Sequence, residues 1–161
     1  MKKALGVLLC IGALALVAGL APAEEEHQAW FDIENCTFCK NLGQEEGLLD
    51  NIKWETHMIE NGAVTLTQVP AEWEEAFERA EKHMSEAAAK MGSGEPVHLC
   101  GFCQSYGKLM TSGVKMESFK SDVARVTLMT STDEKVVQMI HEHAKKTIEE
   151  YENWIAEEAK G

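Results

Sequence analysis

Two kinds of apolar periodicity follow one another along this chain, and the same succession occurs twice. Apolar residues three and four apart mark a helix, whereas strict alternation marks a strand. Phe38, Leu42 and Leu49 recur at helical spacing after Asp32 and Asn35, either of which can cap a helix beginning near Cys36. Residues 54–59 then alternate as a strand, Asn61-Gly62 reads as a two-residue hairpin turn, and 63–69 read as the returning strand. Pro70 stands near the first position of a long helix, where its missing N–H is no loss, and Trp73, Phe77, Ala80, Met84, Ala87 and Met91 mark one face.

The second pass has the same order. Phe102, Tyr106 and Met110 give a helical stripe, 115–120 and 125–130 read as strands around the turn 121–124, and Ser131 or Thr132 can cap a closing helix. Val137, Ile140, Ala144, Ile148, Tyr151 and Ile155 mark its face. The likeness extends to the residues themselves. Cys36-x-Phe38-Cys39-x-x-x-Gly43 aligns with Cys100-x-Phe102-Cys103-x-x-x-Gly107 at an offset of 64, and Val64-Thr65-Leu66 aligns with Val126-Thr127-Leu128 at an offset of 62. Three ordered matches, with Lys53-x-Glu55 against Lys115-x-Glu117 as the third, indicate an internal duplication.

The pattern predicts an α+β fold in which a helix-strand-strand-helix unit occurs twice. The hairpins would join as one four-stranded antiparallel sheet covered by two long helices, a two-layer sandwich with a pseudo-twofold. The expected organisation is a single domain over 24–161, made of repeats 30–91 and 97–158 joined by the Gly- and Pro-containing linker 92–96. Tight linkage implies a shared core. The short cysteine helices would sit at an end or edge of the sheet.

The first 23 residues fit neither repeat. Lys2 and Lys3 precede an uncharged apolar run over 4–20, followed by Ala21-Pro22-Ala23 and then three glutamates. This is the form of a cleaved secretory signal, with Cys10 discarded inside it. The expectation is a periplasmic or secreted bacterial protein with no stable membrane insertion after cleavage. Loss of Lys2 and Lys3 with the leader takes the formal net charge from −12 to −14. Such an acidic chain argues against nucleic acid as a partner, because phosphate backbones reward clustered Lys and Arg.

Charge says little about chemistry, but the cysteines say more. Four remain after cleavage, as two Cys-x-x-Cys pairs. Sulfurs at i and i+3 of a helical turn lie on one side, and two such pairs make a four-thiolate set suited to Zn²⁺ or Cu(I). Cys36, Cys39, Cys100 and Cys103 are thus candidate metal ligands if the pseudo-twofold brings the pairs together. Phe38, Gly43, Phe102 and Gly107 are candidate supports, the glycines leaving room for backbone to approach the sulfurs. His98, two residues before Cys100, is a candidate auxiliary ligand, although Glu34 stands at the equivalent place in copy one.

Two other readings stay open. A Cys-x-x-Cys at a helix start can exchange disulfides, as an extracytoplasmic redox protein would use it, although no βαβ unit precedes either motif. In an oxidising compartment the four cysteines can instead form structural disulfides; one crossing between copies closes about 60 residues and adds about 4 kcal/mol in the chain-entropy model. Lys40 and Gln104, not His, follow the pairs, which excludes covalent haem attachment. No glycine-rich phosphate loop or Ser-His-Asp pattern is present. A homodimer joined through the open sheet face is a further possibility. The alternation of Trp54, Thr56 and Met58 with Glu55, His57 and Ile59 leaves that face undecided.

Overall fold

The computed structural model describes residues 28–158 and residue 160; the leader expected over 1–23 lies outside them. Two hairpins form one sheet. Strand β1 (Lys53–Ile59) pairs with β2 (Gly62–Gln68), and β3 (Lys115–Lys120) pairs with β4 (Arg125–Thr130). The sheet is antiparallel in the order β1-β2-β4-β3, so the two copies meet along β2 and β4. Their register places Val64 opposite Leu128, Thr65 opposite Thr127 and Leu66 opposite Val126, each residue of one copy facing the other copy's counterpart in reverse order. The pseudo-twofold therefore passes between Thr65 and Thr127.

The strands of copy two begin and end where the match to copy one predicts. In copy one the turn lies one residue earlier than expected, on Glu60-Asn61, because Gly62 pairs with Ile59. Gly62 is needed inside the ladder: β2 runs so close to β4 there that a Cβ would collide with the Met129 carbonyl. The second hairpin closes differently. Ser121 Oγ accepts the N–H groups of Val123 (3.3 Å) and Ala124 (3.1 Å), so a side-chain hydroxyl holds this turn.

Pleating divides the sheet residues between two faces. Ala63, Met116 and Met129 point into one core cluster and Trp54 into another, which fixes the helix-covered face. Helix α3 (Glu74–Gly92) follows a 3-10 turn over Ala71–Trp73, and helix α5 (Glu134–Glu158) follows β4. Capping of α5 falls to Asp133 rather than Ser131 or Thr132. Its carboxylate accepts the N–H groups of Lys135 (2.8 Å) and Val136 (3.3 Å), while Ser131 Oγ accepts the N–H of Asp133.

Helix α5 lies across β1 and β2, so copy two's closing helix covers copy one's hairpin. Its buried stripe is Val136, Ile140, His143 and Ala144. Val137 is only partly buried and Ile155 is exposed, contrary to the expected face. Helix α3 buries Ala76, Phe77 and Ala80 near its start, and its apolar stripe fades until Met91 is exposed. Phe77 lies beneath the Arg125 guanidinium, 4.9 Å from its carbon, and Arg125 is ringed by Glu74 (2.7 Å), Glu81 (3.3 Å) and Glu78 (3.6 Å).

The largest departure is in the first cysteine segment. The single expected helix is two short ones, α1 (Lys40–Gly43) and α2 (Leu48–Asn51), separated by a turn in which Gly47 takes φ 78°. Leu42, Leu48 and Leu49 still converge on the Phe77 cluster, so the helical spacing arose from two separate turns packed on one neighbour. Copy two has a continuous helix, α4 (Gly101–Thr111). Helix α1 packs on α3 and α4 packs on α5, which carries both cysteine motifs to the long-helix layer rather than to a sheet edge.

Candidate metal centre

Each cysteine pair is fixed by local backbone chemistry before the pairs meet. In copy one the Asp32 carboxylate accepts the Asn35 N–H (2.8 Å), forming a side-chain turn, and the Asp32 carbonyl accepts the Cys36 N–H (3.2 Å). A helical turn then runs from Cys36 to Lys40, whose N–H reaches the Cys36 carbonyl, and Cys39 ends it as the residue preceding α1. In copy two Cys100 precedes α4 in an extended conformation and Cys103 lies in its first turn. The pairs thus stand just before and just inside their helices.

Short cross-links clasp the motifs together. The Thr37 N–H donates to the His98 carbonyl (2.8 Å), and the His98 N–H donates to Thr37 Oγ1 (3.1 Å). The segment before copy one caps α4. The N–H groups of Gly101 and Phe102 donate to the carbonyls of Ala29 (3.0 Å) and Trp30 (2.9 Å), satisfying donors that a helix start leaves free. Gln28 adds side-chain bonds to the Leu99 carbonyl and, as acceptor, to Gln104 Nε2.

The four sulfurs converge. Cys36 Sγ lies 3.5 Å from Cys103 Sγ, and Cys39 Sγ lies 3.6 Å from both Cys100 Sγ and Cys103 Sγ. All four lie within 4.8 Å of one another, and no disulfide links them. Cys36 and Cys100 are fully buried, Cys39 is 7% exposed, and Cys103 is partly exposed. A tetrahedron with Zn–S bonds of about 2.3 Å has edges of about 3.8 Å, so the spacing suits one ion bound by four thiolates. Such closeness leaves no room for the several irons of an iron–sulfur cluster.

The protonation pattern respects the duplication. Hydrogen bonds from neighbouring thiols, Cys100 foremost, hold the Cys36 thiol far below its ordinary range. The thiol of Cys103 foremost brings Cys100 down to about 6. Each also accepts the backbone N–H of the second cysteine in its own pair. Hydrogen bonds with neighbouring thiols, Cys100 foremost in each case, together with desolvation, push Cys39 and Cys103 up. The first thiol of each pair is thus shifted down and the second up. A divalent ion is the species that would let all four ionise at once.

The remaining predicted residues divide. Phe38 and Phe102 pack beside the sulfurs together with Ile33. Gly43 is crowded, but by Ile33 rather than by the sulfurs: a Cβ there would fall 2.5 Å from Ile33 Cγ2. Nothing lies within 4 Å of where a Gly107 Cβ would stand. His98 is outside the four-sulfur group; its largely exposed ring turns to Asp32, with Nε2 3.4 Å from the carboxylate. Its backbone, not its imidazole, serves the site.

Sequence reading missed the aromatic wall behind the sulfurs. His143 is buried on α5, with its ring centroid 5.0 Å from that of Phe102 and 5.7 Å from that of Trp30, and its Nδ1 2.9 Å from Ser105 Oγ. Desolvation lowers its pKa to about 4. The signal was available: His143 is three residues after Ile140 and beside Ala144, on the stripe that packs inward. No protein-family model, curated protein or solved structure matches this chain.

Proposed function

We propose that this is an exported protein that holds one thiophilic metal ion, Zn²⁺ in preference to Cu(I), at a four-thiolate site joining its two repeats. The observation that carries the proposal is the convergence of Cys36, Cys39, Cys100 and Cys103, two from each copy, with cross-copy sulfur separations of 3.5 and 3.6 Å. Cu(I) shares the preference for soft sulfur, but a closed set of four donors matches the tetrahedral habit of structural Zn²⁺. Every coordination position is taken by protein, leaving none for a substrate or an activated water. The ion's role is therefore architectural: it would neutralise buried thiolates and add a link between copy one and copy two beside the Thr37–His98 bonds, the packing of α5 on copy one's hairpin and the β2–β4 seam. Export is read from Lys2, Lys3, the apolar run and Ala21-Pro22-Ala23, and it makes disulfide formation the competing fate of these thiols.

Elemental analysis with thiol counting on the mature chain, purified under reducing conditions, tests the reading. The expected result is one ion per chain, four thiols released on chelation, and loss of tight binding in both Cys36→Ser and Cys103→Ser. Two independent ions, or none after incubation with Zn²⁺ and with Cu(I), overturns it. A protein isolated without metal and with a disulfide that readily oxidises or reduces a test thiol would support the redox alternative instead.

A further inference from the structure

The sheet face turned away from the helices is apolar at its centre. Val64 and Leu66 on β2 and Val126 and Leu128 on β4 sit around the pseudo-twofold, with Phe119 55% exposed beside them. Among the described residues, none of the five belongs to a core cluster or packs against one. Around them the edge strands place Lys53, Glu55 and His57 on β1, and Lys115 and Glu117 on β3. Two lysines balance two glutamates, so this face is close to neutral in a chain whose net charge is −12.

We propose that this uncovered sheet face is the interface of a homodimer, in which Val64, Leu66, Val126 and Leu128 of one copy pack on the same four residues of a second copy. A twofold dimer requires a self-complementary surface. The register permits a direct test of that property. A row across the sheet reads Glu55, Leu66, Val126, Phe119, and the next row on this face reads His57, Val64, Leu128, Glu117. With a dimer axis along the strands, Leu66 meets Val126, Val64 meets Leu128, His57 meets Glu117 and Glu55 meets Phe119. With the axis across the strands, Leu66 meets Val64, Val126 meets Leu128, His57 meets Glu55 and Glu117 meets Phe119. Neither arrangement sets like charges opposite one another, and both bring His57 to a carboxylate. The near-neutral face thus avoids the like-charge opposition expected of a chain with net charge −12.

The patch is about 20 Å on a side, from strand rise and spacing, or roughly 400 Å² per copy. That is about half the ~800 Å² per partner of a standard stable interface, so the dimer is a weak one that forms with concentration. Aligned packing of two such sheets leaves the metal centre free, since the cysteines lie on the helix side.

Sedimentation equilibrium of the mature, metal-loaded protein from about 10 µM to 1 mM tests the proposal. The expected result is an average mass rising toward twice that of the chain. Leu128→Arg should weaken association at least tenfold. His57→Glu, on an exposed residue where folding is not at stake, should weaken it several-fold by opposing two carboxylates. Rescue of His57→Glu by Glu117→Lys, or by Glu55→Lys, reports which axis is used. A wild-type protein that stays monomeric at 1 mM overturns the proposal. So does association unchanged by both Leu128→Arg and His57→Glu, or a face that instead takes up neutral lipid vesicles as a monomer.

Discussion

Thr65 and Thr127, equivalent residues of the two repeats, face each other across the β2–β4 seam. Each is bonded outward to its own hairpin partner, Thr65 Oγ1 to Thr56 (3.2 Å) and Thr127 Oγ1 to Ser118 (3.1 Å). The seam therefore has symmetric hydroxyl pairs on either side of the axis. That symmetry carries through to the cysteines. Cys36 pairs with Cys103 at 3.5 Å, and the same operation maps this contact onto Cys100 with Cys39 at 3.6 Å. Duplication of a two-cysteine unit thus yields a four-cysteine site, because the sheet register fixes how the second unit returns.

Pseudo-symmetry predicts equal dependence on both pairs. With an ion held between the pairs, its removal would leave four closely packed sulfurs without a counter-charge, and anything that binds only the folded state stabilises it in proportion to RT ln(1 + [L]/Kd). Chelation of the reduced protein should therefore lower Tm, and added Zn²⁺ should restore it. Cys36→Ser and Cys100→Ser should give equal losses of metal-dependent stabilisation, each at least 2–3 kcal/mol at a hundredfold excess over Kd. Calorimetry with and without chelator checks this; a Tm indifferent to metal contradicts it.

Oxidation of the metal-free protein should link the copies rather than close each Cys-x-x-Cys. Cys36–Cys103 and Cys39–Cys100 use all four sulfurs and are the pairs related by symmetry. Each bond forms as two thiols give up two electrons and two protons, which reduce one small-molecule disulfide to two thiols. Peptide mapping after treatment with an oxidised small disulfide should find these two crosslinks. The doubly oxidised protein should no longer take up Zn²⁺ until it is reduced.

What the sequence made legible follows from which forces act locally. Strand ends in copy two were readable by analogy, because Lys115-x-Glu117 and Val126-Thr127-Leu128 match Lys53-x-Glu55 and Val64-Thr65-Leu66 of copy one. The hairpin of copy one slipped by one residue because Gly62 answers to β4, a neighbour not visible from the turn itself. Helical spacing of Phe38, Leu42 and Leu49 suggested one helix, yet Gly47 at φ 78° breaks it and packing on α3 aligns the pieces. Convergence of the cysteines is not legible in their spacing, because whether two motifs meet across an axis depends on the sheet register. The capping of α4 by Ala29 and Trp30 had no signal, as it consists of carbonyl groups that every residue carries.

Arg125 should be the costliest charged residue to remove. Its side chain is 21% exposed, stacks on Phe77 and draws in Glu74, Glu78 and Glu81 from α3. Exposed ion pairs contribute little, but this guanidinium is largely covered and ties α3 to the end of β4. Arg125→Ala should destabilise by about 2 kcal/mol through lost stacking on Phe77 and the loss of the charge shared by Glu78 and Glu81, Glu74 keeping Lys120 at 2.8 Å. Arg125→Lys should recover less than half, since a point charge cannot serve the ring and three carboxylates together. Urea unfolding of the two variants against wild type measures both.

His143 should make stability depend on pH between about 4 and 6.5. Burial against Trp30, Phe102 and Tyr106 lowers its pKa to about 4, from the usual ~6.5 of an unfolded histidine. In that window the unfolded chain binds a proton that the folded chain refuses, so stability rises with pH. The contribution is complete above about 6.5 and is lost as pH falls toward 4, with an upper size of about 3 kcal/mol. His143→Gln keeps a polar group near Ser105 Oγ while removing the titration. Its unfolding free energy, measured in urea from pH 4 to 7.5 on the metal-free protein, should vary less across the window than wild type. Removing the metal first separates this effect from proton competition at the cysteines. Identical pH profiles for the two proteins would show that the imidazole is solvated and titrates normally.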